Sequence, residues 1–474
     1  MTRPAAGPRV VALIVACALF MAQLDSSVVL VALPAMAHSF GVRPIDLSIG
    51  ITIYILAQAA LLPSSSWVAD RFGARRTFVV ALVGFTLASM LCGLSRTLPE
   101  FVAARTLQGV TAALMTPVAR ILLLESTEKE DLIGVMTIST VPMLVAPTLG
   151  PPVGGFITTY LSWPWIFLLN VPIGIVGVAL VMRFIPPTVA LIRRPFDVAG
   201  FVLLAGATTG VLFGLDELST SSVQWQLGGV LTLLGGCCGW LAFRHLRRHP
   251  HPLISLDALQ LHTFRATTLT GGTLARLPMR ALPFVLPLIF QVALGYSAVA
   301  VGFLLLAMNG GDLVLKTLVT RSLRRFGFRR VLLWSTTLMT ATVVAAALLC
   351  ISGSYLMMLV VLAASGMARS LLFSALSTLA FADVPRAELG SASVLWNLAV
   401  QMTSAFGVSI GAICMNVIAL IAHEPIGHVS LRNGVGTLLV MALIGATSLF
   451  SFARLPRDAG AKLSGHREAY VTSE

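Results

Sequence analysis

Charge is scarce in this chain. Only 11% of its 474 residues are Asp, Glu, Lys or Arg, where a soluble domain carries roughly 25%. With so few charged groups, a water-covered surface of ordinary area cannot be built, and a single soluble fold is excluded. Cysteine is also sparse. The six thiols, Cys17, Cys92, Cys237, Cys238, Cys350 and Cys414, all fall in or near apolar runs, and none has zinc-ligand spacing. Neither a disulfide framework nor a zinc module is read from them; the adjacent Cys237 and Cys238 read as small packing residues. No HExxH and no Gly-x-Ser-x-Gly occurs, nor do paired carboxylates at one depth, so no enzyme chemistry suggests itself. The nearest approach to a phosphate-binding loop, GGDLVLKT at 310–317, has Leu315 where its second Gly should stand and lies inside an apolar run. An ATP-driven pump is excluded on that ground. Repeated pore-lining rings are missing too, which argues against a channel, and no loop is long enough to hold a sensor domain.

Long apolar runs fill what remains. Hydrophobic residues make up 57% of the chain, the mean hydropathy is +0.91, and runs of ~20 residues, each able to cross a bilayer as a helix, recur throughout. The punctuation predicts fourteen spans, at about 9–33, 48–69, 77–95, 99–124, 133–160, 165–185, 197–217, 226–246, 266–292, 297–319, 331–351, 355–381, 390–421 and 434–454. The first resembles a signal peptide, with Ala35-Met36-Ala37 as a cleavage-like site, but its run is longer than a signal core and more spans follow. It is expected to stay as an uncleaved span.

The net charge of +13 would suggest nucleic acid in a soluble protein. Sorted by loop, it becomes a topology signal. With the N-terminus in the cytoplasm, Arg3, Arg9 and the clusters at 71–76, 193–194, 244–248, 321–330 and 454–457 fall on that side, against Arg43, Arg96 and Arg432 on the other. Both termini are therefore expected inside, with anionic lipid at the cytoplasmic face and no nucleic-acid partner.

Two short basic turns reveal a repeat. VADRFGARR at 68–76 and SLRRFGFRR at 322–330 share an Arg-Phe-Gly triplet, beginning at Arg71 and Arg325, 254 residues apart. The first turn joins predicted spans 2 and 3, and the second joins spans 10 and 11, eight spans on rather than six. The fold expected is an all-α membrane protein of two six-helix bundles (1–190 and 261–455) with two inserted helices and a linker between them (191–260) and a cytoplasmic tail (456–474). Parallel repeats of this kind mark secondary transporters whose halves rock about a central site.

Intramembrane ionisable residues need a reason, because each costs on the order of 3 kcal/mol by insertion scales. Asp25 lies ~12 Å from the outer end of span 1, and Arg105 lies ~9 Å into span 4 from the same face. The depths allow a pair across the bundle, either a static salt bridge or an acid that gains and loses a proton as its partner moves. Arg276 and Arg280 in span 9 and Arg369 in span 12 are expected to face the interior, lining a cavity of net positive charge or bonding to helix carbonyls. Arg120 sits nearer the cytoplasmic end of span 4, where snorkelling accounts for it. Asp312 and Lys316, at i and i+4, predict an intrahelical ion pair, with a second proton site as the alternative. Asn397 and Gln401 share a face of span 13, to bind a ligand or to join helices. Gly150, Pro151, Pro152, Gly154 and Gly155 make a rigid, small-faced stretch suited to close helix approach. Gly73 lets the chain reverse among Asp70, Arg71, Arg75 and Arg76, and Asp70 can meet a neighbouring helix N-terminus or an arginine. The second turn has Arg324 in the place of Asp70. His245, His249 and His251 read as a solvated basic loop, with a metal site as the alternative; no metal or other cofactor is expected.

Six stretches in order resemble the Major Facilitator Superfamily, and within it the fourteen-span drug:proton antiporter branch, EmrB/QacA-like. They are LDSSVVLVALP (24–34), ADRFGARR (69–76), RTLQG (105–109), GPPVGG (150–155), WPWIFLLNVPIG (163–174) and RRPFDVAG (193–200). PVARILLLES and the loops resemble the branch's MdtD-like subgroup. Leu30 stands where that branch usually has Asn, and Ser66 where Gly is commoner. The resemblance implies an antiporter motif at Gly150, Pro151, Gly154 and Gly155, and a cytoplasmic latch at Asp70, Arg71, Gly73, Arg75 and Arg76. For Arg105 it implies a proton relay, with an orienting role beside it. The function expected is proton-coupled export of small amphipathic compounds by a monomer in a bacterial inner membrane. The alternatives are a dedicated metabolite exporter or importer, and a receptor-like protein that transports nothing.

Overall fold

The computed structural model describes residues 7–42, 47–127, 131–186, 195–219, 225–296, 298–424 and 429–464. Arg3, Arg43, Arg193 and Arg194, used above to orient the chain, lie outside the described residues, as do the side chains of Leu30, Pro151 and Pro152.

Every regular element among the described residues is helical. In chain order the α-helices are α1 (Pro8–Phe40), α2 (Ser48–Leu61), α3 (Ser65–Phe72), α4 (Ala74–Leu94), α5 (Leu98–Glu125), α6 (Leu132–Tyr160), α7 (Trp165–Leu168), α8 (Asn170–Phe184), α9 (Val198–Ser219), α10 (Trp225–Arg248), α11 (His262–Thr268), α12 (Gly271–Leu288), α13 (Ala298–Ser352), α14 (Tyr355–Leu379), α15 (Leu389–Ile421), α16 (Leu431–Ala453) and α17 (Ala461–Ser464). Their ends follow local chemistry. Thr97 caps α5 by accepting the Glu100 amide, and Glu100 reaches back to the Arg96 amide at 2.8 Å. Ser430 and Asn433 form the same reciprocal cap on α16. Pro63 removes a donor and divides α2 from α3 with a 3-10 turn at Leu62–Ser64.

Twelve helices among the described residues are long and apolar enough to cross a membrane. That number departs from the fourteen expected spans in two places. The stretch of α6, expected as span 5, is not among the twelve. Spans 10 and 11 run together as α13, whose 55 residues are two helices joined across a kink; one straight helix of that length would reach ~80 Å, well over twice the ~30 Å apolar thickness of a bilayer. Gly327, at φ 74° and ψ 162°, interrupts α13 in the basic turn.

That break repeats the one at Gly73, whose φ of 86° and ψ of 137° separate α3 from α4. The two glycines are 254 residues apart, as 327 − 73. The arginine two positions on does the same work in both. Arg75 donates to the Met182 carbonyl in the last turn of α8 at 2.6 Å. Arg329 donates to the Ala453 carbonyl that ends α16 at 2.7 Å. A cation at a helix C-terminus satisfies an orphan carbonyl and meets the negative end of the dipole. The repeat read from three letters is thus a repeat of backbone conformation and of helix capping.

The chain divides into two compact units: Met1–Thr209 with Cys237–Leu256 and Arg386–Asn397, and Gly210–Gly236 with Asp257–Pro385 and Leu398–Glu474. In the first unit one apolar cluster gathers Phe78, Phe85, Met115 and Val118, and another gathers Phe101, Trp163 and Phe167. In the second unit Phe264, Leu286, Phe290 and Phe452 are buried.

Candidate functional site

Among the described residues, each unit holds a buried network built on an Asp–Arg pair. In the first, Asp25 of α1 and Arg105 of α5 meet with Arg105 Nη1 2.7 Å from Asp25 Oδ2. Both are 1% exposed, so this pair has essentially no water to share its charge. The other carboxylate oxygen, Oδ1, accepts from Gln108 Nε2 at 2.9 Å and from Asn170 Nδ2, at the start of α8, at 3.0 Å. Ser89 Oγ of α4 accepts from the same two amides, at 2.8 and 3.2 Å. Arg105 also donates to Gln108 Oε1 and, through Nε, to the Gly50 carbonyl of α2 at 3.3 Å. Its guanidinium lies 4.4 Å from the centre of the Tyr54 ring and 5.9 Å from that of Phe167, so the charge is covered by π faces where water is missing. Asp25 therefore accepts three donors, and every polar side-chain atom of the Asp25–Gln108 contact is used.

Helix approach makes this possible. A Cβ on Gly109 would run into the Tyr54 carbonyl, so the glycine after Gln108 lets α5 and α2 close around Arg105. Gly150 of α6 is held equally tightly, since a Cβ there would strike the Ser27 hydroxyl, two residues from Asp25. Of the other glycines in this stretch, Gly154 is buried and its carbonyl accepts from Thr158 at 2.8 Å, while a Cβ on Gly155 would meet nothing within 4 Å. Gly150 thus supports a close helix approach that Gly155 does not.

The second network takes a different form. Arg369 of α14 donates from Nε to Asp312 Oδ2 of α13 at 3.0 Å, its Nη2 lies 3.0 Å from the same oxygen, and Nη2 also reaches Asn309 Oδ1 at 3.0 Å. The expected closure of Lys316 on Asp312 is replaced: Lys316 Nζ donates to Ser374 Oγ at 2.8 Å, and Asp312 is held by Arg369. The planar guanidinium offers two donors to one oxygen across the helix contact, whereas the lysine reaches only its hydroxyl partner. Ser370 Oγ ties the Asp312 carbonyl at 2.8 Å. The buried Asp312 Oδ1 has no hydrogen-bond partner.

The remaining expected cavity residues separate. Arg276 is fully buried and takes the second of its two expected roles, bonding to helix carbonyls. It donates to the Thr267 and Thr268 carbonyls at 3.1 and 2.8 Å, capping the end of α11 where the helix breaks before α12. An exposed backbone carbonyl in an apolar setting costs several kcal/mol, which explains the cation. Arg280 is exposed, with its stem against Gly407 of α15. Asn397 donates to the Ser393 carbonyl one turn back at 2.9 Å, and it and Gln401 are half-buried. Arg120 lies 5.7 Å from the centre of the buried Trp396 ring, an aromatic contact in place of the expected snorkelling. In the first basic turn Arg71 and Arg76 are exposed, and Asp70 lies at the N-terminus of α15, where a Cβ on Gly390 would be 3.4 Å from its Oδ1. A carboxylate there meets the positive end of the α15 dipole.

Sequence reasoning passed over Ser89, Gln108 and Asn170. The last two stood within quoted motifs, in RTLQG and WPWIFLLNVPIG, as uncharged polar residues inside apolar runs, and that was the available signal.

Two helical units, related by a repeated turn and each enclosing a charge pair in an apolar interior, define a polytopic membrane protein of the transporter kind. The Major Facilitator Superfamily profile matches residues 15–255 and 268–471, and the chain belongs to that superfamily of transporters, which are not enzymes. It is 36% identical over 451 residues to the putative multidrug resistance protein MdtD of Citrobacter koseri, covering 94% of each chain. It is 36% identical over 454 residues to the protein of the same name from Escherichia coli, again covering 94% of each. Among solved structures it resembles the human organic anion transporter MFSD10 (TETRAN), with TM-score 0.69 and 15% identity over 94% of this chain and 100% of that one. It also resembles the proton:xylose symporter XylE bound to 6-bromo-6-deoxy-D-glucose, with TM-score 0.65 and 13% identity over 96% and 97%. At these identities the two structures speak for the fold.

Proposed function

We propose that the protein is a proton-coupled antiporter that exports small amphipathic compounds by alternating access. The observation that carries this is the Asp25 carboxylate, buried and held by one cation and two amide donors. Protonation removes the charge that Arg105 faces and leaves a buried, uncompensated guanidinium, a state costing about 3–5 kcal/mol. A rearrangement of the helices that carry Arg105 and Asn170 relieves that cost, and this ties proton uptake to a change of conformation. Gln108 and Asn170 orient the carboxylate and link its state to α4, α5 and α8. Arg105 acts in this scheme as relay or as orienting partner.

Cargo contacts are assigned to the exposed Arg280, to Arg369 and to Gln401, all of the second unit. Their charge favours neutral, zwitterionic or anionic amphipaths over dications. The names of the relatives at 36% identity support drug export. The glycine seam at Gly150 limits proton leak between α1 and α6, and the turn around Asp70 and Gly73 latches the cytoplasmic side. In the bilayer the chain is assigned fourteen crossings, with α13 counted as two and α6 as one, both termini in the cytoplasm, a bacterial inner-membrane location and a monomeric state.

Proteoliposomes loaded with substrate test the reading. An imposed pH gradient drives substrate movement and a matched proton counterflow in the native protein, and Asp25→Asn abolishes both while substrate binding persists. Pumping by that variant at the native rate removes Asp25 from the mechanism.

A further inference from the structure

The inserted helices end in a basic hollow that the transport scheme leaves unused. Asp197, just ahead of α9, is buried and takes three donors. The Gly200 amide lies at 2.8 Å and His245 Nε2 of α10 at 2.9 Å, both on Oδ1, and the Leu253 amide lies at 3.2 Å on Oδ2. Together they pin the end of α10 and the chain after it to the start of α9. Above this knot lies an open hollow of about 440 Å³, with Arg244, His245, Arg248 and His249 above Leu203 and Leu241. Trp240, exposed one turn before Arg244, has that guanidinium 5.7 Å from its ring centre. An exposed Trp next to arginines at a span's end marks the headgroup level of a bilayer.

Two ligand chemistries compete for this place. Ligand atoms of Asp197, His245 and His249 lie within 4.8 Å of one another, which suits a metal ion. Asp197 already accepts three hydrogen bonds, however, and Arg244 and Arg248 place two positive charges against its one negative. The field favours an anion. The apolar floor and the interfacial Trp then distinguish a lipid from a soluble anion.

We propose that this hollow binds the phosphate of an anionic phospholipid, with Arg244 and Arg248 on the headgroup and Leu203 and Leu241 under the first acyl methylenes. It rests on the chain spanning a bilayer and is independent of what is carried. Bound lipid would hold the inserted pair at a set depth.

Native mass spectrometry of the purified full-length protein in detergent tests this, with dioctanoyl phosphatidylglycerol and dioctanoyl phosphatidylcholine as probes. The native chain is expected to retain one phosphatidylglycerol at a concentration about tenfold below that needed for phosphatidylcholine. Arg244→Gln with Arg248→Gln erases that preference, a loss of roughly tenfold from two surface cations. Arg247→Gln leaves it unchanged, because Arg247 lies over Phe243, 5.3 Å from its ring centre, and does not line the hollow. Should the double variant fail size-exclusion and melting controls, the single variants serve, each expected to lose about threefold. Full preference in variants that fold overturns the proposal. So does equal displacement by sn-glycerol 3-phosphate, which would make it a site for free phosphate esters. Stoichiometric zinc binding that His249→Ala abolishes, with no lipid preference, overturns it in favour of a metal site.

Discussion

Asp25 and Asp312, the two buried acids paired with arginine, are held in opposite ways. Asp25 has both oxygens occupied, one by Arg105 and one by the amides of Gln108 and Asn170. Asp312 gives a single oxygen to both Arg369 nitrogens and leaves Oδ1 without a hydrogen-bond partner. An unsatisfied buried acceptor costs about 1–3 kcal/mol. The first network is closed at its carboxylate: its charges cancel and both Asp25 oxygens accept. The second carries Arg369 and Lys316 against one carboxylate and keeps an acceptor free. A closed network changes only when a proton arrives, whereas one with a free acceptor is open to another donor. The proposed division of labour, proton exchange in the first unit and cargo contact in the second, rests on this difference.

Neutralising each acid in turn is the strongest way to break the comparison. Asp25→Asn is expected to reduce pH-driven transport in proteoliposomes by at least about 100-fold. Asp312→Asn is expected to reduce it by no more than about tenfold, mainly through KM. These figures correspond to about 2.7 and 1.4 kcal/mol of transition-state stabilisation. Equal losses, or the larger loss at Asp312, would reverse the assignment.

Next in size is the amide that completes the first network. Asn170→Ala removes one donor to a carboxylate, a bond worth about 1.5–3 kcal/mol. The maximal rate should fall roughly tenfold with KM unchanged, and Asn170→Gln should restore part of it. A change confined to KM would instead place Asn170 among the cargo contacts.

Smaller effects sharpen the comparison between helix seams. Gly150→Ala forces a Cβ onto the Ser27 hydroxyl and should lower stability by about 1–3 kcal/mol, read as a drop in melting temperature in detergent. Gly155→Ala, which meets open space, should stay within about 0.5 kcal/mol of the native protein. Matching shifts would mean that the motif acts as a whole rather than through Gly150. Smallest of all, Arg75→Gln and Arg329→Gln each lose one capping bond and should cost about 1 kcal/mol. Similar values for the two would bear out the repeat energetically; a loss at only one would confine the capping role to that unit.

Much of the fold was legible. Hydropathy placed the helices, because burial in a bilayer depends on an average over ~20 residues and tolerates errors of a few positions. The paired Asp25 and Arg105 could be foreseen from depth alone; for Asp70 a helix N-terminus was one of two expected partners, the other an arginine. Asp312 and Lys316 misled because spacing of i and i+4 puts two side chains on one face without saying what the opposite helix offers. For Arg276 two roles stood open, a cavity wall or a bond to helix carbonyls, and the structure takes the second. The break between α11 and α12 lies within an apolar run, and only the backbone there shows the two carbonyls that need a cation.

Composition and spacing alone thus determined that this chain lives in a membrane, that it is built twice, and which charged groups must be hidden. Partner choice was left to tertiary structure. Helix rotation and axial offset, matters of one or two ångströms, decide whether Arg369 or Lys316 reaches Asp312, and whether Gln108 and Asn170 reach Asp25. Hydrogen bonds fail over such distances, while the hydrophobic effect that sets the spans is non-directional and summed over area.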